Sequence, residues 1–289
     1  MRSNSMLILL AIPSLLGSVL LMRLAGAVQS LQVQQIVVAL IGIAAVLWMD
    51  RAKRQHKTET SALTVQQIRN AVVMLVPMLV GLLACFVFSE TGNPSRWLKL
   101  GPLRLYFSAA VLPLALFLFA RLHWRTPFSA MANMALMLAF AVLLALQPDF
   151  SQLAAFSFAG VFIVWHRPGS VVQKIVFTAA LVLLCSWCQQ QADTLQPVAY
   201  VEGVIQLAMR AGIVAMFAAV LSIALVPTGL FYIGIKRGSP EIIPIALYYI
   251  VIMICAYIGL TPMPLLGFGA GPVLGYFVLL AGRRDLKMT

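Results

Sequence analysis

Ten apolar runs dominate this chain, at 6–27, 33–49, 71–90, 103–122, 128–147, 150–166, 172–188, 204–234, 241–260 and 263–282, and most of the joints between them are short. A bilayer core about 30 Å thick is crossed by about 20 residues of α-helix. A helix also satisfies its backbone polar groups internally, which lipid demands. Ten such spans take up about 200 residues of the 289, so the rest suffices only for loops and ends. The expected fold is an all-α polytopic membrane protein of about ten transmembrane helices, with residues 1–289 forming a single integral membrane domain. Composition agrees, with 62% of residues hydrophobic and only 10% charged, against about 25% charged in soluble domains.

Individual runs carry further information. The first resembles a secretory signal in position, but Arg23 follows a core without a small-x-small cleavage pattern and further spans follow, so it reads as a span. Runs 150–166 and 172–188 are short. Run 204–234 is long enough to include an interfacial stretch or a broken helix.

Lys and Arg number 20 against 8 Asp and Glu, a formal charge of +12. In a soluble chain that excess suggests nucleic acid. Here the basic residues sit in the joints, where they act as topology signals facing anionic lipid, and no nucleic-acid partner is expected. With the N-terminus inside, 15 basic residues fall on the cytoplasmic side and five, Arg23, Arg96, Lys99, Arg104 and Arg210, on the outer side. That bias places both termini in the cytoplasm.

The same topology places Glu90, Asp149, Asp193 and Glu202 outside, with the basic loop Thr91–Arg104. Arg96, Lys99 and Arg104 within that loop need a reason beyond topology. Binding an anionic headgroup or phosphate is one; pairing with Glu90, Asp149 or Glu202 is the other. Trp97 reads as an interfacial anchor. Gln147-Pro148-Asp149 falls between two spans, where Asp149 can cap the following helix or clamp the basic loop. The polar loop 189–203 holds Asp193 and Glu202. A carboxylate beside a low-dielectric surface can serve as a base, whereas Glu202, opening a span, also suits a salt bridge or a helix start.

Other candidate sites fall away. Cys185 and Cys188 have CxxC spacing without a second pair or a nearby histidine, and His56, His123 and His166 lack ligand spacing, so neither metal nor cofactor is expected. The stretch Gly259–Pro272 is rich in glycine and proline. It suits either a broken helix lining a polar cavity or close helix packing. No paired intramembrane carboxylates mark an ion-coupled transporter.

Taken together, these residues resemble the SEDS family, the peptidoglycan glycan-strand polymerases of bacterial division, elongation and sporulation. That family's loop after the third span reads roughly G-x-x-R-W-x-x-x-G-P-x-R, and Gly92, Arg96, Trp97, Gly101, Pro102 and Arg104 stand in that order here. Its Q-P-D at the mouth of the fifth span is matched by Gln147, Pro148 and Asp149, and its last outer loop loosely by Thr261, Pro262, Pro264, Phe268 and Gly269. Departures accompany the matches. Leu105-Tyr106-Phe107-Ser108-Ala109 stands where the family has Q-P-S-E, and the loop holding Asp193 is much shorter than the family's.

The resemblance implies a ten-span bundle in the bacterial inner membrane that works on undecaprenyl-linked peptidoglycan precursor beside a single-pass transpeptidase. It assigns Asp193 as the base, with Arg96, Lys99, Arg104, Asp149 and Glu202 around the substrate. Two expectations stay open: a divergent glycosyltransferase, or a noncatalytic relative that scaffolds or regulates an envelope machine.

Overall fold

The computed structural model describes residues 3–55, 63–88, 94–100, 103–122, 124, 126–191 and 197–283. In order these form α1 (Ser3–Leu24), α2 (Gln29–Gln55), α3 (Leu63–Val87), β1 (Trp97–Leu100), β2 (Leu103–Tyr106), α4 (Phe107–Arg121), α5 (Pro127–Leu146), α6 (Phe150–Trp165), α7 (Val171–Gln189), α8 (Val204–Ala211), α9 (Ile213–Lys236), α10 (Ile243–Tyr257) and α11 (Ala270–Gly282). A 3-10 turn, Pro240–Ile242, leads into α10. Among the described residues six helices are long and apolar enough to cross a membrane and four more are apolar but shorter. They occupy the ten places read from the sequence, and the chain is a multi-pass membrane protein.

The bundle is built around α4, twelve of whose fifteen residues are buried. Helices α3, α6, α10 and α11 pack on it, and α11 also packs on α2 while α1 packs on α9. Phe119, Phe140 and Phe156 join α4, α5 and α6: Phe119 meets Phe140 edge-on at 5.5 Å, and Phe140 stacks on Phe156 at 6.0 Å. Outward faces of α2 and α7 are apolar and exposed, including Leu40, Ile41, Trp48, Val182 and Leu183. Such faces suit lipid rather than water.

Helix ends follow their sequence signals. Thr126 and Ser129 form a capping box at the start of α5, with Pro127 in its first turn. At the end of α6, the Lys174 ammonium donates to the Trp165 and Arg167 carbonyls at 3.3 and 2.7 Å. The Arg167 guanidinium donates to the Ala120 carbonyl in the last turn of α4. Both cations meet the negative ends of helix dipoles.

Two features depart from a plain helical bundle. A two-stranded antiparallel hairpin, β1 with β2, takes the first residues of the run at 103–122, in the register Trp97↔Tyr106, Leu98↔Leu105, Lys99↔Arg104 and Leu100↔Leu103. The long run at 204–234 is broken at Gly212, whose φ of 127° is a glycine conformation that ends α8 and lets α9 start in a new direction. The hairpin, the α5–α6 joint, the α7–α9 joint and the α10–α11 joint all gather at one end of the bundle, the hairpin end.

Candidate functional site

The α5–α6 joint folds tightly because its three residues are all engaged. Gln147 donates through Nε2 to the Leu82 carbonyl of α3 at 2.7 Å. Asp149, fully buried, caps α6 by accepting from the Gln152 amide at 3.4 Å. It also accepts from the Tyr106 hydroxyl at 2.7 Å, the Ser108 hydroxyl at 2.9 Å and the Ser151 hydroxyl at 3.3 Å. Burial pushes its carboxyl above the usual carboxylate range, and the Arg96 guanidinium and the Tyr106 and Ser108 hydroxyls oppose that rise.

Arg96 turns inward from the start of the hairpin and is 6% exposed. Its Nε donates to the Gln147 carbonyl at 3.4 Å, and its terminal nitrogen donates to the Pro148 carbonyl. It therefore holds the end of α5 while compensating Asp149. Of the two readings of Asp149, helix cap and clamp on the basic loop, the structure shows the cap, and the Arg96 charge acts on its carboxyl from the basic loop. The Tyr106 hydroxyl is pushed well above the ordinary tyrosine range by burial and by the neighbouring Asp149 charge.

Lys99 and Arg104 sit apart from that buried cluster. They face each other across the hairpin and are exposed. Directly opposite residues of an antiparallel pair share one face, as do residues two apart, so both cations lie on the same face as Trp97 and Tyr106. Those two rings are 5.0 Å apart. The hairpin thus presents an aromatic pair at its base and a pair of cations toward its tip.

A cleft of about 130 Å³ opens beside Arg96, with Pro148, Ser151, Cys188, Gln189, Gln191 and Leu260 among its lining residues. A water needs roughly 10–15 Å³ of such space, so the cleft has room for a phosphoryl group. Asp193 lies outside the described residues, as does Glu90. The described neighbours of the Asp193 segment are Gln191, which lines the cleft, and Pro197, which rests near Gly259. Glu202 is half-buried and accepts from the Val198 amide at 2.8 Å, closing its own loop. Arg96 and Asp149 are therefore brought together, Lys99 and Arg104 face each other on the hairpin apart from them, and Glu202 is engaged locally.

Sequence reasoning treated Tyr106 and Ser108 only as departures from a motif and Thr261 only as a loose match to one, and it passed over Gln35. Tyr248 donates to the Gln152 side-chain oxygen at 2.5 Å, carrying the polar network from the joint into α10. The signal available was general: a carboxylate at a buried helix mouth needs donors, and Tyr106 and Ser108 are the hydroxyls at the mouth of the neighbouring span.

Two sequence comparisons return nothing: no family model matches the chain, and no curated protein matches it. Solved structures do resemble it. A mutant form of the rod shape determining protein RodA of Thermus thermophilus superposes with a TM-score of 0.64 at 18% identity, over 98% of this chain and 98% of that one. The unmutated Thermus thermophilus RodA gives 0.62 at 18% identity, over 98% and 97%. A chain from a study of how a peptidoglycan synthase complex coordinates polymerization and crosslinking gives 0.63 at 18%, over 95% and 96%. This chain shares their fold from end to end.

Proposed function

We propose that this chain is a divergent SEDS-like protein of peptidoglycan synthesis, in the bacterial inner membrane, that polymerises undecaprenyl-linked precursor at its hairpin end. The observation that carries the reading is the juxtaposition at that end: a cleft beside buried Arg96 and Asp149, the cation pair Lys99 and Arg104, and Gln191 lining the cleft two residues before Asp193. The RodA-like fold supports it.

In this reading Lys99 and Arg104 bind the pyrophosphate of the lipid-linked donor, with Arg96 lining the cleft and buried Asp149 holding the joint behind it. Asp193 accepts the proton of the attacking sugar hydroxyl. That oxygen bonds to the donor's anomeric carbon as the carbon–oxygen bond to the pyrophosphate breaks, and the lipid pyrophosphate leaves. Glu202 holds the segment that follows Asp193. The partner is a single-pass transpeptidase, in keeping with the synthase complex whose chain has this fold.

A specific observation also favours the scaffold reading. Ala109 stands where the family's glutamate enters the fourth span, buried and closely packed against α11, so one acid of the family pattern has no substitute at that position.

One assay separates the two: polymerisation of fluorescent lipid-linked precursor by the purified protein with its transpeptidase partner, beside Asp193→Asn. General-base catalysis contributes about 10²–10⁴-fold, so the variant should lose at least that much while remaining folded. Normal polymer from the variant removes Asp193 as the base. No polymer from folded, partner-bound protein favours the scaffold.

A further inference from the structure

The joint between α10 and α11, residues 258–269, carries no helix although most of it is buried. Pro262 and Pro264 bring no amide hydrogens to it, and Leu265 takes a left-handed φ of 63°. A non-glycine residue in that region persists only where its surroundings over-determine it. The surroundings here are three. Leu265 and Leu266 are buried in the bundle. The Met263 and Phe268 amides donate to the Val201 and Tyr200 carbonyls at 3.0 and 2.9 Å, joining this loop to the segment after Asp193. The third is Gln35.

Gln35 stands in the second turn of α2 and is 1% exposed. Its Nε2 donates to the Gly267 carbonyl at 3.2 Å and to the Ser18 hydroxyl of α1 at 3.2 Å, and its Oε1 accepts from the Gly269 amide at 3.3 Å. A primary amide offers a donor and an acceptor on one rigid plane. It can thus grip a carbonyl and an amide hydrogen of the same loop while donating a second hydrogen to Ser18, whereas an ionised carboxylate has no donor and a hydroxyl has one. The other flank of the loop reaches the site: Leu260 lines the cleft beside Arg96, and the buried Thr261 hydroxyl lies by Tyr106.

We infer that Gln35 is a positioning residue: it fixes the 258–269 loop and, through the backbone bonds to Tyr200 and Val201, the return of the chain from Asp193, so that the cleft is held in its binding form. The inference rests on the polymerase reading for its kinetic consequence and on geometry alone for the clamp. Releasing the clamp lowers the fraction of molecules whose cleft is competent, and apparent affinity falls by that fraction.

The test uses the full chain in nanodiscs, comparing Gln35→Ala and Gln35→Glu with the unsubstituted protein by backbone hydrogen exchange and by polymerisation kinetics with the partner present. In Gln35→Ala, exchange of the Met263, Phe268 and Gly269 amides should accelerate at least about tenfold while α4 and α6 stay protected, and KM for the precursor should rise by the reciprocal of the fraction of molecules whose cleft stays competent, about tenfold where a tenth remain so, with kcat within about twofold. Gln35→Glu keeps an acceptor for Gly269 but loses the donor for Gly267, so its exchange should fall between the two, and it serves where the alanine variant does not fold. Unchanged loop exchange overturns the clamp. Faster exchange with kcat lost at constant KM overturns the binding role. If the unsubstituted protein makes no polymer, the polymerase reading fails separately, and equilibrium binding of the fluorescent precursor to the same variants replaces KM: weaker binding supports the inference and unchanged binding overturns it.

Discussion

Asp149 is buried among groups that depend on it: two hydroxyls from the end of β2 and the start of α4, the hydroxyl and amide of its own helix start, and the Arg96 guanidinium. Removing one partner of a buried charged pair costs about 3–5 kcal/mol, whereas removing one hydrogen bond to a charged group costs about 1.5–3 kcal/mol. Asp149→Ala should therefore lower the detergent melting temperature further than Tyr106→Phe or Ser108→Ala, with Asp149→Asn between them. Fluorescence-detected size-exclusion after a temperature series measures the order, and an alanine variant as stable as the parent would remove Asp149 from the structural core. At this scale the sequence was half legible. Arg96 and Asp149 stand out because charges are rare in an apolar chain. Tyr106, Ser108 and Gln35 do not, because a single hydroxyl or amide in an apolar run gives no clue to which other helix it will meet.

Helices α4 and α11 approach closely because α11 offers glycine at the contact. A Cβ at Gly275 would collide with the Ala109 carbonyl oxygen, and one at Gly271 with that of Tyr106. Small residues at such a seam let two backbones meet in a membrane bundle. Gly275→Val should destabilise the protein by about 1–3 kcal/mol or more and reduce the monodisperse yield. Gly160→Ala, whose Cβ meets only the flexible end of Met137, should be tolerated in the same assay; equal behaviour of the two would mean the seam yields. Elements were legible where hydropathy and helix coincide, as in α5 and α7. They diverged at 103–106 and 263–269, because hydropathy reports the surroundings of a side chain and not the backbone path, whereas the break at Gly212 is the broken helix that the length of run 204–234 suggests. A buried loop with two prolines scores like a span, and a hairpin of alternating Leu, Lys and Arg blends into the helix it precedes.

For the whole molecule, the charge bias between the two ends makes a statement about orientation. In a background lacking the native cysteines, Lys99→Cys should react with a membrane-impermeant thiol reagent in intact cells and Lys236→Cys only after permeabilisation. The reverse pattern would invert the topology. The overall architecture was the most legible level, since span number and order follow from lipid's demand that every backbone group be satisfied. How the spans pack was not, because periodicity says little when lipid and protein interior are equally apolar. That packing sets an order in time. The helix enclosed on most sides, α4, is completed by α11, which leaves the ribosome after every other described helix. Until then the Tyr106–Ala109 face of α4 waits in the bilayer without the glycine surface that fits it. Unfinished chains should therefore leave that gap open to proteases and to mispairing until α11 arrives.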